Sequence, residues 1–337
     1  MQLRDEVRAA ASSSVAALAP DCAFARRLRR ARIVARERND EAAPAELPDE
    51  RWLRERFALD GSLAACVLEP VDGDAPLVVR PVHLHLGLDH LVLAPPSGSA
   101  PDDAEAHALA EAANRWLAGD GLALVPERAD AWRLDAQSDE ARTTLAAFAS
   151  LRAPSARVAS GRNISAWQPQ GEAAPRWRSF ENLVQMAWFE HPVNEQRLND
   201  GRLPLTGLWL EGRAGAARTR AFNRVHSDDP AVAGLAQRAG SELAGFAAFD
   251  ADAAQSPRPT LVDAGFWKEA LAEGDADAWN EAWLAFDQWF ESGPHRAASL
   301  RLVLTGERDC VEIAVEAVDR FRFWRSLARE TLLERAR

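Results

Sequence analysis

The chain has 337 residues, with 40 Lys and Arg against 51 Asp and Glu and a formal net charge of −11. This length builds one large or two medium cores, which excludes small scaffolds held by disulfides or metal. The negative charge argues against a protein that lies along nucleic acid or an anionic membrane. No stretch reaches the roughly 18 to 20 apolar residues of a membrane-spanning helix. With three scattered cysteines and no recognisable signal peptide, the sequence predicts a cytoplasmic protein.

Residues 1–50 read as a basic arm and linker. Seven arginines lie within residues 26–38, and an Ala/Pro/Glu-rich stretch follows at 39–50. One interpretation is an adaptor for nucleic acid or an acidic partner. The alternative, which we favour, is a solvated helix face with Leu28, Ile33 and Val34 packed beneath it.

Residues 51–155 predict an α/β region with a hairpin. The expected elements are a helix near Arg51–Ala58, strands at Ser62–Pro70 and Leu77–Leu86, a partner strand Asp89–Ala94, a helix Ala104–Leu117 capped by Asp102 or Asp103, and strands Leu122–Pro126 and Ala131–Leu134. A Ser/Pro/Ala-rich stretch at 152–161 predicts a boundary near residue 155.

Residues 156–337 predict a second α/β region. The expected elements are helices Pro175–His191 and Asp275–Glu291, strands Leu205–Leu210, Thr260–Val262, Ser299–Leu304 and Asp309–Val315, and a final helix with Phe323, Trp324 and Leu327. Asp228-Asp229-Pro230 is typical of a helix start. The aromatic residues of Asp275–Glu291 recur at three- and four-residue steps, which favours core packing over a partner surface.

Three groups of residues could carry chemistry. His83 and His85 share one face of a strand, and with Asp89 or His90 they could hold a metal. Between Gly161 and Arg197, arginine, asparagine and histidine side chains crowd beside tryptophans, which suits a small phosphorylated or carboxylated ligand. A structural network at helix ends explains them equally well. In Gly201–Gly215, glycines around a buried strand could admit a ligand to the backbone, but the run is neither a P-loop nor a dinucleotide fingerprint.

The order of landmarks across the last two groups resembles the RpfE-type regulatory proteins of proteobacteria, which are phosphoglycerate mutase-like. The landmarks are Gly161-Arg162-Asn163, a Trp-Arg helix with Asn182 and Gln185, His191-Pro192-Val193-Asn194, Arg197, Pro204 and Leu208-Trp209-Leu210 followed by Gly212. The likeness runs from about residue 60 to 328. The segment from His191 to Gly212 is also similar to archaeal-type cofactor-independent phosphoglycerate mutases of the alkaline-phosphatase-like superfamily.

The resemblance implies a mutase ancestry with altered chemistry. Those mutases use a Ser or Thr nucleophile and two divalent metals held by aspartates and histidines. In this sequence only His226 and His295 remain after Gly212, and Thr206 stands where asparagine is usual. We therefore expect a bacterial pseudoenzyme.

The sequence thus predicts an α/β protein with a mixed central sheet, flanking helices and a reduced alkaline-phosphatase-like core, divided at 1–50, 51–155 and 156–337. The expected function is non-catalytic: a binding or regulatory protein with a pocket for a small phosphorylated or carboxylated metabolite, without a cofactor, and with a possible protein partner. The expected ligand-binding residues are Arg162, Asn163, Trp167, His191, Asn194, Arg197, Trp209 and Gly212. The rival is a metal-dependent mutase or phosphatase that uses a divalent ion such as Mn²⁺ at His83, His85, Asp89 and His90.

Overall fold

The computed structural model describes residues 24, 27, 31–71, 73–87, 90–95, 99–249, 258–267, 270, 275–292 and 299–316. The chain forms two compact units. The larger comprises Glu41–Arg220 and Pro230–Gly240, and the smaller comprises Met1–Asp40, Ala221–Asp229 and Ser241–Arg337. Positions 50 and 155, where the sequence suggested boundaries, both lie in the larger unit, and the Ser155 hydroxyl donates to Glu50 Oε2 at 2.8 Å.

A five-stranded antiparallel sheet forms the centre of the larger unit. Its strands, in their order across the sheet, are β2 (Leu59–Gly61), β8 (Gly207–Ala217), β3 (Leu77–Val82), β7 (Ala131–Ala136) and β6 (Leu122–Arg128). A separate hairpin pairs β4 (Leu84–Leu86) with β5 (Leu91–Leu93). The helices are α1 (Pro48–Arg56), α2 (Asp103–Leu117), α3 (Asp139–Ala149), α4 (Ala156–Ala159), α5 (Ala174–Trp188), α6 (Pro192–Asn199) and α7 (Pro230–Arg238). The predicted α/β architecture with a central sheet and flanking helices is confirmed.

The core of this unit packs α2 and α5 against the sheet. The apolar stripe of α5, which includes Trp177 and Trp188, is buried together with Leu208 and Leu210 of β8. The Trp188 indole Nε1 donates to the Leu109 carbonyl of α2 at 2.9 Å, which fixes the two helices to each other. Helix α2 is capped by Asp102, one of the two predicted capping residues, whose carboxylate accepts from the Glu105 backbone N–H at 2.8 Å.

Three predicted elements of the larger unit differ from the structure. The strand Leu77–Leu86 is divided at His83, because β3 pairs with β7 and β8 while β4 pairs with β5. The region 62–70 contains a 3₁₀ helix, Ala64–Val67, rather than a strand. The glycines after Leu210 lie within β8, which continues to Ala217 because it pairs with both β2 and β3.

The smaller unit contains two three-stranded sheets. One is antiparallel, in the order β1-β13-β12, formed by β1 (Arg32–Arg38), β12 (Ser299–Thr305) and β13 (Asp309–Glu316). The other is parallel, in the order β10-β9-β11, formed by β9 (Arg224–His226), β10 (Glu242–Ala244) and β11 (Thr260–Val262). Helix α8 (Ala276–Ser292) contributes the buried Phe286 and Phe290 to the core, as the aromatic stripe predicted.

The expected helix face in the N-terminal arm is wrong for residues 32–38. These residues form β1, with Ile33 opposite Ile313 of β13 and packed against the aromatic core. Alternation along the strand leaves Val34 43% exposed. The predicted C-terminal helix and Leu28 lie outside the described residues. Within the residues that are described, no helix has the length and apolar character needed to cross a bilayer.

Candidate functional site

Asn194 holds the segment that leads into β8. Its Nδ2 donates to the carbonyls of Trp188 at 3.0 Å and Leu205 at 2.8 Å, and its Oδ1 accepts from the Leu205 N–H at 2.8 Å. The side chain is buried, so these bonds satisfy backbone groups that water does not reach. One amide thus fixes the end of α5 and the entry to β8.

Arg197, one turn later on α6, is 1% exposed and is engaged by its own chain. Its Nε donates to Leu203 O at 2.8 Å, its Nη2 to Ser99 O at 2.8 Å and its Nη1 to Glu105 Oε2 at 2.5 Å. The carboxylate that Arg197 binds therefore belongs to the cap of α2. For Asn194 and Arg197 the structure favours the structural network that the sequence left open.

His191 begins α6. Its Nδ1 accepts from the Val193 N–H at 3.2 Å, and Pro192 occupies the first turn, where a missing N–H costs nothing. Burial, followed by the charge of Arg115, lowers the pKa of His191 below its ordinary value. A neutral ring that accepts at Nδ1 is consistent with this capping role.

The remaining predicted ligands form a second group around Trp167. The Arg162 guanidinium lies over the Trp167 ring, 5.3 Å from its centroid. Asn163 starts the 3₁₀ helix Ile164–Ala166, with its Oδ1 accepting from Ser165 N at 3.0 Å and from Ser165 Oγ at 2.7 Å. The Trp167 indole Nε1 is buried, and none of the described residues provides an acceptor for it.

Trp209 and Gly212 are placed by β8. Trp209 belongs to the same hydrophobic cluster as Trp167, and its Nε1 donates to Pro154 O at 2.8 Å. Gly212 lies beside a β-bulge, because Val78 pairs with Gly212 whereas Val79 pairs with Leu210. Its φ of +89° suits glycine, so this residue has a backbone role. The eight expected ligands are thus distributed over α6, the Trp167 region and the strand β8.

Two of the four residues predicted to hold a metal, His83 and His85, lie close together. His83 Nδ1 lies 2.7 Å from the Pro204 carbonyl, which makes Nδ1 the protonated donor nitrogen. Burial lowers the pKa of His83, and the ring centroids of His83 and His85 are 6.1 Å apart. Asp89 lies outside the described residues, and in the part that is described no three His, Cys, Asp or Glu side chains are grouped to hold a metal. Metal binding here stays a prediction.

A buried ion network that sequence reasoning missed crosses the sheet. Arg80 Nε donates to Glu211 Oε1 at 3.0 Å, and its Nη1 donates to Asp130 Oδ2 at 2.6 Å. Burial opposes the charge of Arg80, but the two carboxylates raise its pKa above the ordinary value. The second Glu211 oxygen accepts from the Ala156 N–H at 3.1 Å. The sequence contains a signal for this network: Arg80 lies within the apolar strand β3 and Glu211 within the apolar strand β8. Charged residues are almost never fully buried unless they are paired.

Glu181 of α5 is a second buried acid. Its side chain is 8% exposed, and burial raises its pKa from 4.5 to about 7, against the lowering effect of Arg178. Glu181 precedes Asn182 in the polar run between Gly161 and Arg197. Burial of the carboxyl depends on packing that the run does not reveal.

Comparisons with known proteins give a distant relationship. No family model matches the chain. A segment of 64 residues, 19% of this chain, is 34% identical to the probable 2,3-bisphosphoglycerate-independent phosphoglycerate mutase of Geobacter sulfurreducens, and it spans 16% of that relative. The match thus covers about a sixth of the relative's length.

Two solved structures align with most of the chain. The PH0037 protein from Pyrococcus horikoshii aligns with a TM-score of 0.45 and 12% identity over 90% of this chain and 81% of its own. The cofactor-independent phosphoglycerate mutase from Thermoplasma acidophilum aligns with a TM-score of 0.32 and 12% identity, over 80% of this chain and 81% of its own. Through the matched segment, the chain is distantly similar to cofactor-independent phosphoglycerate mutases.

Proposed function

We propose that this protein is a non-catalytic binding protein, of RpfE-type regulatory character, whose pocket for a small phosphate or carboxylate lies at Arg162 and Trp167. One observation carries the proposal. The Trp167 indole N–H is buried and has no acceptor among the described residues. The Arg162 guanidinium lies over the same indole ring.

A small oxyanion would resolve this arrangement. Leaving a buried donor unpaired costs about 1–3 kcal/mol, whereas an anionic acceptor beside an arginine forms a charge-assisted hydrogen bond. The Asn163 Oδ1 already accepts from Ser165, so Asn163 would meet the anion through its Nδ2 donors. Trp209, in the same hydrophobic cluster as Trp167, would form an apolar wall.

The part of the chain that resembles the mutases supports binding without turnover. In this segment Asn194 and Arg197 are engaged with backbone groups and Glu105, and His191 caps α6. Side chains that hold helix ends and a strand entry stabilise the fold. We therefore propose that the mutase-like segment is retained for its architecture.

Thermal unfolding tests the proposal. We expect 3-phosphoglycerate or inorganic phosphate to raise the Tm of the wild-type protein, and Arg162→Ala and Trp167→Phe to abolish this rise. Trp167→Phe keeps an aromatic ring for the guanidinium to stack on and removes the N–H. The exposed Arg176→Ala is the matched control and should respond as the wild type does. If no phosphate or carboxylate raises the Tm, or if Arg162→Ala responds normally, the pocket is elsewhere or absent.

The metal-dependent alternative rests on the proximity of His83 and His85. It is tested on the same protein by metal analysis and a phosphoglycerate mutase assay with and without Mn²⁺. Stoichiometric bound metal together with turnover that His85→Ala abolishes would replace the binding role by catalysis.

A further inference from the structure

Residues 41–47, which we call the strap, contact the segment that precedes α4 in the larger unit. The Ser155 N–H donates to the Ala45 carbonyl at 2.8 Å, and the Arg152 guanidinium donates to Glu41 Oε1 at 2.7 Å. The contact between Arg152 and Glu41 is exposed, so it contributes little to stability. The attachment of the strap therefore depends on the buried groups beside Ser155.

Glu50, in the first turn of α1, is the buried acid at the end of the strap. Its side chain is 2% exposed. Its Oε2 accepts from the Leu47 N–H at 2.7 Å and from the Ser155 hydroxyl at 2.8 Å. The same hydroxyl accepts from the Val158 N–H at 3.3 Å and so caps α4. One carboxyl thus joins the end of the strap to the first turn of α4.

Arg157, the cation that contacts Glu50, is engaged more closely by another acid. Its Nη1 lies 3.3 Å from Glu50 Oε1 but 2.8 Å from Oδ2 of the more exposed Asp49. From β8, Glu211 accepts from the Ala156 N–H at 3.1 Å, which places a further acid at the same segment. Burial therefore outweighs the attraction of Arg157 and, together with the charge of Asp49, raises the pKa of Glu50 from 4.5 to about 7.

The hydrogen bonds of Glu50 also suit a protonated carboxyl. Oε2 accepts both of the close bonds, whereas Oε1 accepts the longer bond from Arg157. A proton on Oε1 makes the group neutral and leaves Oε2 as an acceptor. Loss of this proton leaves a full charge in a buried position, which is costly unless the charge is closely paired. Movement of the strap and the first turn of α1 away from Ser155 would return that charge to water.

We propose that Glu50 is a pH-sensitive switch: the strap stays bound to the segment before α4 while the carboxyl is protonated, and it is released as the carboxyl loses its proton to solvent. The direction follows from linkage. Because the pKa is raised in the bound state, binding of the strap is strongest below about pH 4.5 and weakens as the pH rises to about 7. This inference is independent of the proposed anion pocket.

Amide hydrogen exchange on the full-length chain tests the switch. The wild type and Glu50→Gln are compared at the same pH, so that the intrinsic exchange rate cancels. The substitution keeps an acceptor for the Leu47 N–H and cannot ionise. For residues 41–47, we expect the ratio of wild-type to variant exchange rates to increase at least about tenfold from pH 5 to pH 8.5. The exposed Glu55→Gln on the same helix is the matched control and should exchange as the wild type does. A ratio that stays constant with pH would overturn the inference.

A second variant keeps the test decisive if Glu50→Gln does not fold. Asp49→Asn releases Arg157 from its closer partner, so the guanidinium can neutralise an ionised Glu50. The exchange rate of the strap in this variant, relative to the wild type, should be severalfold lower at pH 8.5 than at pH 5. A purely structural role of the Asp49 contact would change the rate equally at both pH values, and that result would also overturn the inference.

Discussion

Arg197 Nη1 lies 2.5 Å from Glu105 Oε2, so a guanidinium that the sequence assigned to an external anion holds a carboxylate of its own chain. Glu105 also accepts from Arg202 Nη1 at 2.7 Å, but Arg202 is 40% exposed whereas Arg197 is 1% exposed. The two arginines share one partner at very different burial, which makes them a matched pair for experiment.

We expect Arg197→Ala to lower the free energy of unfolding by about 3–5 kcal/mol. The substitution removes the buried partner of Glu105 and the donor to the Leu203 and Ser99 carbonyls. Arg202→Ala should cost about 0–1 kcal/mol, as exposed ion pairs do. Urea denaturation of both variants measures the difference. Equal costs would show that Arg197 is not part of a buried network.

Asn194→Ala tests the link between α5, α6 and β8. It leaves the Leu205 N–H and two carbonyls without their side-chain partner, and we expect a loss of at least about 2 kcal/mol. The exposed Asn199→Ala on the same helix should stay within about 0.5 kcal/mol of the wild type. Chemical denaturation should separate the two variants, and similar midpoints would contradict the assigned role.

Gly234 allows α7 to approach the 3₁₀ helix Ala64–Val67. A Cβ at this position would lie 1.9 Å from the Cys66 carbonyl oxygen, so one of the two backbones must move. Gly234→Ala should destabilise by about 1–3 kcal/mol or more. A Cβ at Gly119 meets nothing within 4 Å, so Gly119→Ala should leave the Tm unchanged or slightly raised. An unaltered Tm for Gly234→Ala would contradict this packing.

Glu181 should make stability depend on pH. Its pKa is raised by burial from 4.5 to about 7, so the folded protein binds this proton more tightly than the unfolded chain does. The free energy of unfolding therefore falls as pH rises from about 4.5 to about 7, by about 3 kcal/mol for this group. Glu50, whose pKa burial also raises to about 7, adds to the same slope.

Glu181→Gln should remove the Glu181 contribution, so the variant should exceed the wild type in stability at pH 8 and match it near pH 4.5. Urea midpoints at several pH values measure the slope. The exposed Glu172→Gln should keep the wild-type profile. A Gln variant with an unchanged slope would mean that another group titrates in this range.

Local patterns predicted most of the secondary structure. The apolar stripe of α5, the Asp102 cap of α2 and the bounds of β11 follow from neighbouring residues alone, and the structure agrees. Where the pattern failed, a distant partner decided the outcome. Arg32–Arg38 is a strand because β13 pairs with it, although its arginines also suit a helix.

The sequence by itself determined which residue types are available: an arginine, asparagine and histidine group beside tryptophans, and an acidic aromatic helix. The tertiary structure decided how each group is used. It paired Arg197 with Glu105, 92 residues earlier in the chain, and left the Trp167 N–H buried without an acceptor among the described residues. The reason is physical: a hydrogen bond depends on the distance and direction between two groups, and these are fixed only when remote segments pack together.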